Sequence, residues 1–207
     1  MKKSFIFGVV CAVAAALVSC VGGPSPREQF DKAIAEGKLS EAQVVLTKMR
    51  GESDFNLCCE ILIDEYLSIG NLNKAIYVFD KVSSHCSMYE MKFDSLYDKD
   101  GFTKRNSQKI YKKLIAADRF DEAWAYHPLS YDSENYPGNA PDYYAYMVDV
   151  VTHLCVNQRH DEAYTFITSH IHWFSKNVDN HQWGKDYPEY SKNTMHGQIM
   201  DVYNSFQ

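Results

Sequence analysis

The sequence predicts an all-α protein, a helix-turn-helix repeat array of about four degenerate repeats closed by a C-terminal capping helix. Three observations predict it. A six-residue pattern recurs four times in the 207 residues, as Gly37-Lys38-Leu39-Ser40-Glu41-Ala42, Gly70-Asn71-Leu72-Asn73-Lys74-Ala75, Asp118-Arg119-Phe120-Asp121-Glu122-Ala123 and Gln158-Arg159-His160-Asp161-Glu162-Ala163. Apolar residues on either side of these patterns fall at helical spacing. No long period-two alternation separates the turn clusters, so strands are not the organising signal.

The first segment is an address. Lys2 and Lys3 precede an apolar run from Phe5 to Val18, the basic and hydrophobic regions of a secretory signal, and the run is shorter than a membrane span needs. It ends at Leu17-Val18-Ser19-Cys20, which resembles a bacterial lipobox. The resemblance implies a lipoprotein signal peptide over residues 1–19, cleavage before Cys20, a diacylglyceryl thioether on its sulfur and an acylated amino terminus. Several acyl chains at about 0.8 kcal/mol per buried methylene hold a protein on a bilayer almost permanently. The expected location is therefore the bacterial cell envelope, on the periplasmic face or the cell surface. The alternative is an ordinary signal with a coincidental cysteine. Residues 20–24 form the lipidated tether, which spans at most about 20 Å when extended. No second apolar run is long enough to cross a bilayer, so residues 25–207 are expected to be a soluble helical-repeat domain.

That domain opens at Ser25-Pro26-Arg27-Glu28, which reads as a helix start with Ser at the N-cap, Pro at the first position and Glu completing a capping box. In each six-residue pattern a turn residue ends one helix, the residue two positions later, Leu39, Leu72, Phe120 or His160, packs under the next, and Ala three further on allows close helix approach. First helices carry the stripes Phe55, Cys59, Leu62, Tyr66, Ile69 and Met147, Val148, Val151, Leu154, Cys155. Second helices carry Leu72, Ala75, Ile76, Phe79, Val82 and Ala163, Phe166, Ile167, Ile171, Phe174. Met195, Ile199, Val202, Tyr203 and Phe206 give the last segment a helix face suited to capping the array.

These units resemble the tetratricopeptide repeat family, whose period is about 34 residues. The four alanines lie 33, 48 and 40 residues apart. The first spacing fits, and the excess in the others reads as insertions near residues 86–101 and 128–141. Asp118 and Gln158 stand where the first two units have Gly, and no unit has the full aromatic set of the family. The resemblance implies an α-solenoid whose hairpins rotate slightly on one another, presenting a concave groove to a protein or peptide partner. An irregular helical bundle is the alternative.

Chemistry is sparse. A formal net charge of −6, more acidic still without Lys2 and Lys3, argues against nucleic acid, because phosphate binding needs clustered Lys and Arg. No nucleophile elbow, zinc-protease motif, phosphate loop or dinucleotide fingerprint is present, so no catalytic residue and no cofactor are expected. The His85-Cys86 pair has no orienting third group in sequence. A metal at His170-Ile171-His172 with His181 is not expected, since helix positions two apart point about 200° from one another. Asp98-Lys99-Asp100-Gly101 resembles part of a calcium loop, yet Leu96 and Ser107 occupy ligand positions.

Cys58, Cys59, Cys86 and Cys155 remain beyond the address. Export permits a bridge from Cys59 or Cys58 to Cys86, and burial as thiols is the competing reading. The candidate partner-binding residues are Tyr131, Tyr136, Tyr143, Tyr144, Tyr146, Trp173 and Trp183, aromatics with polar tips of the kind favoured at recognition surfaces. Filling gaps between helices is the alternative for half of them. The expected function is a membrane-anchored envelope lipoprotein acting as a helical-repeat protein–protein interaction adaptor. The second expectation is glycan capture by stacking on Tyr131, Tyr136, Trp173 or Trp183.

Overall fold

A computed structural model of the chain describes residues 23–90, 101–127, 140–180 and 185–207, with backbone alone over 82–90. Every regular element among the described residues is helical: α1 (Pro26–Ala35), α2 (Leu39–Leu46), α3 (Phe55–Ser68), α4 (Leu72–Glu90), α5 (Phe102–Ala116), α6 (Phe120–Trp124), α7 (Ala140–Val156), α8 (His160–His170), α9 (His172–Phe174) and α10 (Lys192–Asn204). A π-helical turn at Ser175–Asp179 and a 3₁₀ turn at Pro188–Tyr190 precede α10. None of these helices is long and apolar enough to cross a membrane. The chain divides into two compact units, residues 1–65 and 66–207, and the division falls within α3. Cys20 and the rest of residues 1–22 lie outside the described residues.

In the first unit the capping box forms as the sequence predicts. The Ser25 amide donates to Glu28 at 2.7 Å and the Glu28 amide donates back to the Ser25 hydroxyl at 3.2 Å, satisfying two amides that a helix start leaves open. α1 and α2 pack together as a hairpin, burying Phe30, Ala33, Leu39, Ala42 and Leu46. Arg27 ties α1 to the approach to α3, donating to Asp31 at 2.9 Å and to Asp54 at 2.7 Å.

The four repeated patterns share one turn geometry. Gly37, Gly70, Asp118 and Gln158 are all left-handed, with φ of 68°, 74°, 58° and 60°. In each case the following amide donates to the carbonyl five residues back: Lys38 to Ala33, Asn71 to Tyr66, Arg119 to Leu114 and Arg159 to Leu154, at 2.8–2.9 Å. A bond from the amide of the left-handed residue itself to the carbonyl three residues back, at 2.9–3.2 Å, accompanies each one. This is the Schellman motif, which satisfies the open carbonyls of a helix end. The next helix begins two residues after the left-handed one, so a single residue separates them at each corner.

Burial follows the same register. Seven residues before the turn stand Phe30, Ile63, Tyr111 and Val151, and nine after it Leu46, Phe79, His127 and Ile167, all buried. Five after it stand Ala42, Ala75, Ala123 and Ala163, each 0% exposed. A side chain of one carbon at that position lets two helix backbones approach closely. Two expectations are corrected. Ile69, placed in the α3 stripe, is 63% exposed, because it immediately precedes the left-handed Gly70 and falls on the outer side of the turn. The insertion near 86–101 begins inside a helix, since α4 continues to Glu90.

In the second unit α5 packs against α4, α6 and α7, α7 packs against α6 and α8, and α10 lies against both α7 and α8. α6 is only five residues long. Its continuation places Tyr126 so that its hydroxyl donates to Asp80 of α4 at 3.1 Å and its carbonyl accepts from Ser107 of α5 at 3.1 Å. The C-terminal helix foreseen from Met195, Ile199, Val202, Tyr203 and Phe206 is α10; Met195, Ile199 and Tyr203 are buried, Val202 is half-buried, and Phe206 follows the helix end and is 38% exposed.

Candidate functional site

The second unit carries a chain of links along its hairpin turns. Arg119 clasps Glu122, three residues on, with Nε at 2.8 Å, and its Nη1 reaches Asn73 at 2.7 Å. Arg159 repeats the arrangement, with Nε on Glu162 at 2.9 Å and Nη1 on both oxygens of Asp118 at 2.7 Å. Each guanidinium therefore closes its own helix start and holds the preceding hairpin. His153 Nε2 also lies 3.1 Å from Asp118. The Arg159 hydrogen bond, aided by His153, holds the Asp118 carboxyl below its ordinary range. Arg159 does the same to Glu162, and Arg119 to Glu122.

Behind these turns the aromatic residues converge. Tyr143 stacks on Trp173 with ring centroids 4.2 Å apart and planes 15° from parallel. Trp124 meets Tyr143 edge-on at 5.1 Å and Tyr146 at 5.6 Å. Phe174 and Phe166 close the cluster, Phe174 at 5.5 Å from Tyr143 and Phe166 at 5.9 Å from Tyr146. The Tyr146 hydroxyl donates to the Phe120 carbonyl at 2.9 Å. Burial pushes the Tyr143 phenol up to about 12, with a contribution from the Asp121 charge, and raises Tyr146 for the same reasons with Tyr143 added. Both phenols stay protonated, and that of Tyr146 acts as a donor.

Tyr143 and Tyr146 are thus core residues, 5% and 1% exposed, and the expectation that they touch a partner is corrected. Their partners Trp124 and Phe174 come from other elements, and the rings cover one another. Tyr144 and Trp173 are half-buried, and one face of Trp173 is taken by Tyr143. Tyr131, Tyr136 and Trp183 lie outside the described residues. Cys59 is buried in α3, and the side chain of Cys86, its expected bridge partner, is also outside them. Cys58 is a buried thiol that burial pushes up to about 11. No group of three or more His, Cys, Asp or Glu among the described residues is placed to hold a metal ion.

Two grooves open on the second unit. One, of about 350 Å³, runs between α5 and α7 and is lined by Gln108, Tyr111, Lys112, Asp149 and Thr152 among others. The buried Tyr111 hydroxyl donates to Asp149 at 2.7 Å, fixing a carboxylate at the groove edge. His127 closes its inner end, meeting Tyr111 edge-on at 5.0 Å. Burial holds the His127 imidazole below its ordinary value.

The other groove, of about 370 Å³, runs along α8 beside the start of α6. Phe120, Leu154 and Phe166 form its floor, and Asp161, Glu162, Thr165, Ser169 and His170 its walls. Phe120 and Phe166 meet at 5.8 Å, and His170 stacks on Phe166 at 4.0 Å. Its Nδ1–H donates to the Phe166 carbonyl at 2.9 Å, which turns Nε2 toward Asp121 at 3.7 Å.

The sequence reading missed Arg119, Arg159, Asp121 and Asp161. The signal was present, since the third and fourth patterns both read Arg-x-Asp-Glu-Ala. No protein-family model, no curated protein and no solved structure matches the chain.

Proposed function

We propose that this chain is a lipid-anchored helical-repeat adaptor of a bacterial envelope, built like a tetratricopeptide solenoid and working by binding alone. The observation that carries the reading is the common turn geometry. Four αα-hairpin corners, each with a left-handed residue at the same place, the same bond across five residues and a buried Ala, are what a stack of equivalent units requires. The links from Arg119 to Asn73 and from Arg159 to Asp118 favour side-by-side stacking of the hairpins in residues 66–207. Such a stack leaves grooves between successive helices, and grooves of this kind accept partner helices or extended segments. Nucleic acid fits poorly with a net charge of −6. The anchor rests on the lipobox resemblance at Cys20.

The test has two arms. Growth with labelled palmitate should label the wild-type chain and not Cys20→Ser, which should move to the soluble envelope fraction; labelling unaffected by the substitution would overturn the anchor. Photocrosslinking in intact cells from exposed groove positions 108, 112 and 165 should give discrete heavier species. Crosslinks no more frequent than from position 48, on the first unit, would overturn the adaptor reading.

A further inference from the structure

The groove along α8 has a chemistry that selects its occupant. Its floor is aromatic and aliphatic, through Phe120, Leu154 and Phe166, and no Lys or Arg among the described residues lines it. Its charged groups are carboxylates, and they are not equally committed. Glu162 is held by Arg159 through two hydrogen bonds. The Asp161 carboxylate has no ion pair among the described residues, and its backbone carbonyl accepts from Thr165 at 2.8 Å. Asp121 is 94% exposed and has His170 at 3.7 Å as its nearest ion-pair neighbour.

The turn arginines explain why Asp121 is left over. Asp121 and Asp161 occupy the same position of consecutive patterns, three residues after the turn. Arg119 engages the residue at that position of the preceding hairpin, Asn73. Arg159 instead engages the turn residue Asp118. Asp161 therefore lines the apolar trough directly, and Asp121, next in the chain to Phe120 and 3.7 Å from His170, stands beside it, with no Lys or Arg among the described lining residues. Apolar floor and acidic rim complement a side chain with a long aliphatic stem and a cationic head, because Lys and Arg bury their methylenes while keeping the charge at a polar edge. An aromatic floor adds favourable contact with a guanidinium or ammonium group.

We infer that the groove along α8 receives a lysine- or arginine-bearing segment of a partner protein, with its cations at Asp121 and Asp161 and its stems over the half-buried Phe120. The inference rests on the adaptor reading and names the chemistry of the partner segment.

The probes are three fluorescein-labelled, alanine-rich decapeptides carrying two Arg, two Lys or two Glu residues four apart, titrated against the full chain by fluorescence anisotropy. The Arg and Lys peptides should bind and the Glu peptide should not. Asp121→Asn/Asp161→Asn should weaken the Arg peptide at least fivefold. Glu41→Gln/Glu52→Gln, with the same loss of charge on the first unit, should change it less than twofold. Thr165→Arg, which places a cation in the groove from its own wall, should weaken binding as the double variant does while keeping the wild-type circular dichroism. No binding of the Arg peptide at millimolar protein, equal binding of the Glu peptide, or equal effects of the two double variants would overturn the inference. In cells, crosslinked partners that persist unchanged with Asp121→Asn/Asp161→Asn would overturn the groove assignment and leave the adaptor standing. Absence of crosslinks in the wild type would remove the adaptor reading itself.

Discussion

Replacing Gln158 by Gly should stabilise the protein. Gln158 is one of two non-glycine residues with positive φ among the described residues, at 60°. A Cβ in the left-handed region costs about 1–2 kcal/mol. Glycine removes that cost but returns about 0.5–1 kcal/mol through the greater freedom of the unfolded chain. The net expectation is a gain of about 0.5–1 kcal/mol, or roughly 1–4 °C in melting temperature for a chain of this size. The reverse substitution checks the same reasoning. At Gly37, φ is 68° and an added Cβ would meet nothing within 4 Å, so Gly37→Ala has a backbone cost without a clash and should lose about 0.5–1 kcal/mol. Asp118→Gly relieves the same strain but forfeits the bonds to Arg159 and His153, so it should gain less than Gln158→Gly. Urea unfolding followed by circular dichroism reads all three. A lower midpoint for Gln158→Gly, or an unchanged one for Gly37→Ala, would refute the shared-turn argument.

Ala163→Leu should cost about 1–3 kcal/mol by overpacking a fully buried position, whereas Tyr164→Leu beside it, half exposed, should stay within about 0.5 kcal/mol; the same unfolding curves compare them. Tyr143→Ala empties the centre of the aromatic cluster and should cost about 3–5 kcal/mol, while Tyr144→Ala should cost less than about 1 kcal/mol, so differential scanning calorimetry should separate the two neighbours. Stability should also fall on mild acidification. Burial lowers the folded pKa of His127 below its ordinary 6.5, so the unfolded chain binds the proton first. The contribution is complete above about pH 6.5, declines as pH drops below it, and levels off beneath the folded value. His127→Phe should flatten that part of the stability–pH curve measured between pH 5 and 8.

The architecture was legible where a local rule sufficed. The four corners were visible because a left-handed residue, a following apolar position and a buried Ala are all set by the geometry of one turn. The start of α1 was visible because Ser25 and Glu28 satisfy each other within four residues. What failed depended on other elements. Tyr143 and Tyr146 carry the composition of a recognition surface, and only the arrival of Trp124, Trp173 and Phe174 makes them interior. Ile69 matched its helical stripe by spacing, yet the chain had already reached its corner. The groove along α8 was hidden for a related reason. Asp121 and Asp161 read as ordinary acids of a first helical turn until the arginines beside them are seen to be engaged elsewhere.

The guanidinium links at the corners have a mechanical result. Arg159 holds Asp118 through Nη1 and the start of its own helix at Glu162 through Nε and Nη2, and Arg119 stands in the same relation to Asn73 and Glu122. Two successive corners of residues 66–207 are thus joined through single side chains, so replacing Arg159 removes a contact from the corner before it as well as from its own.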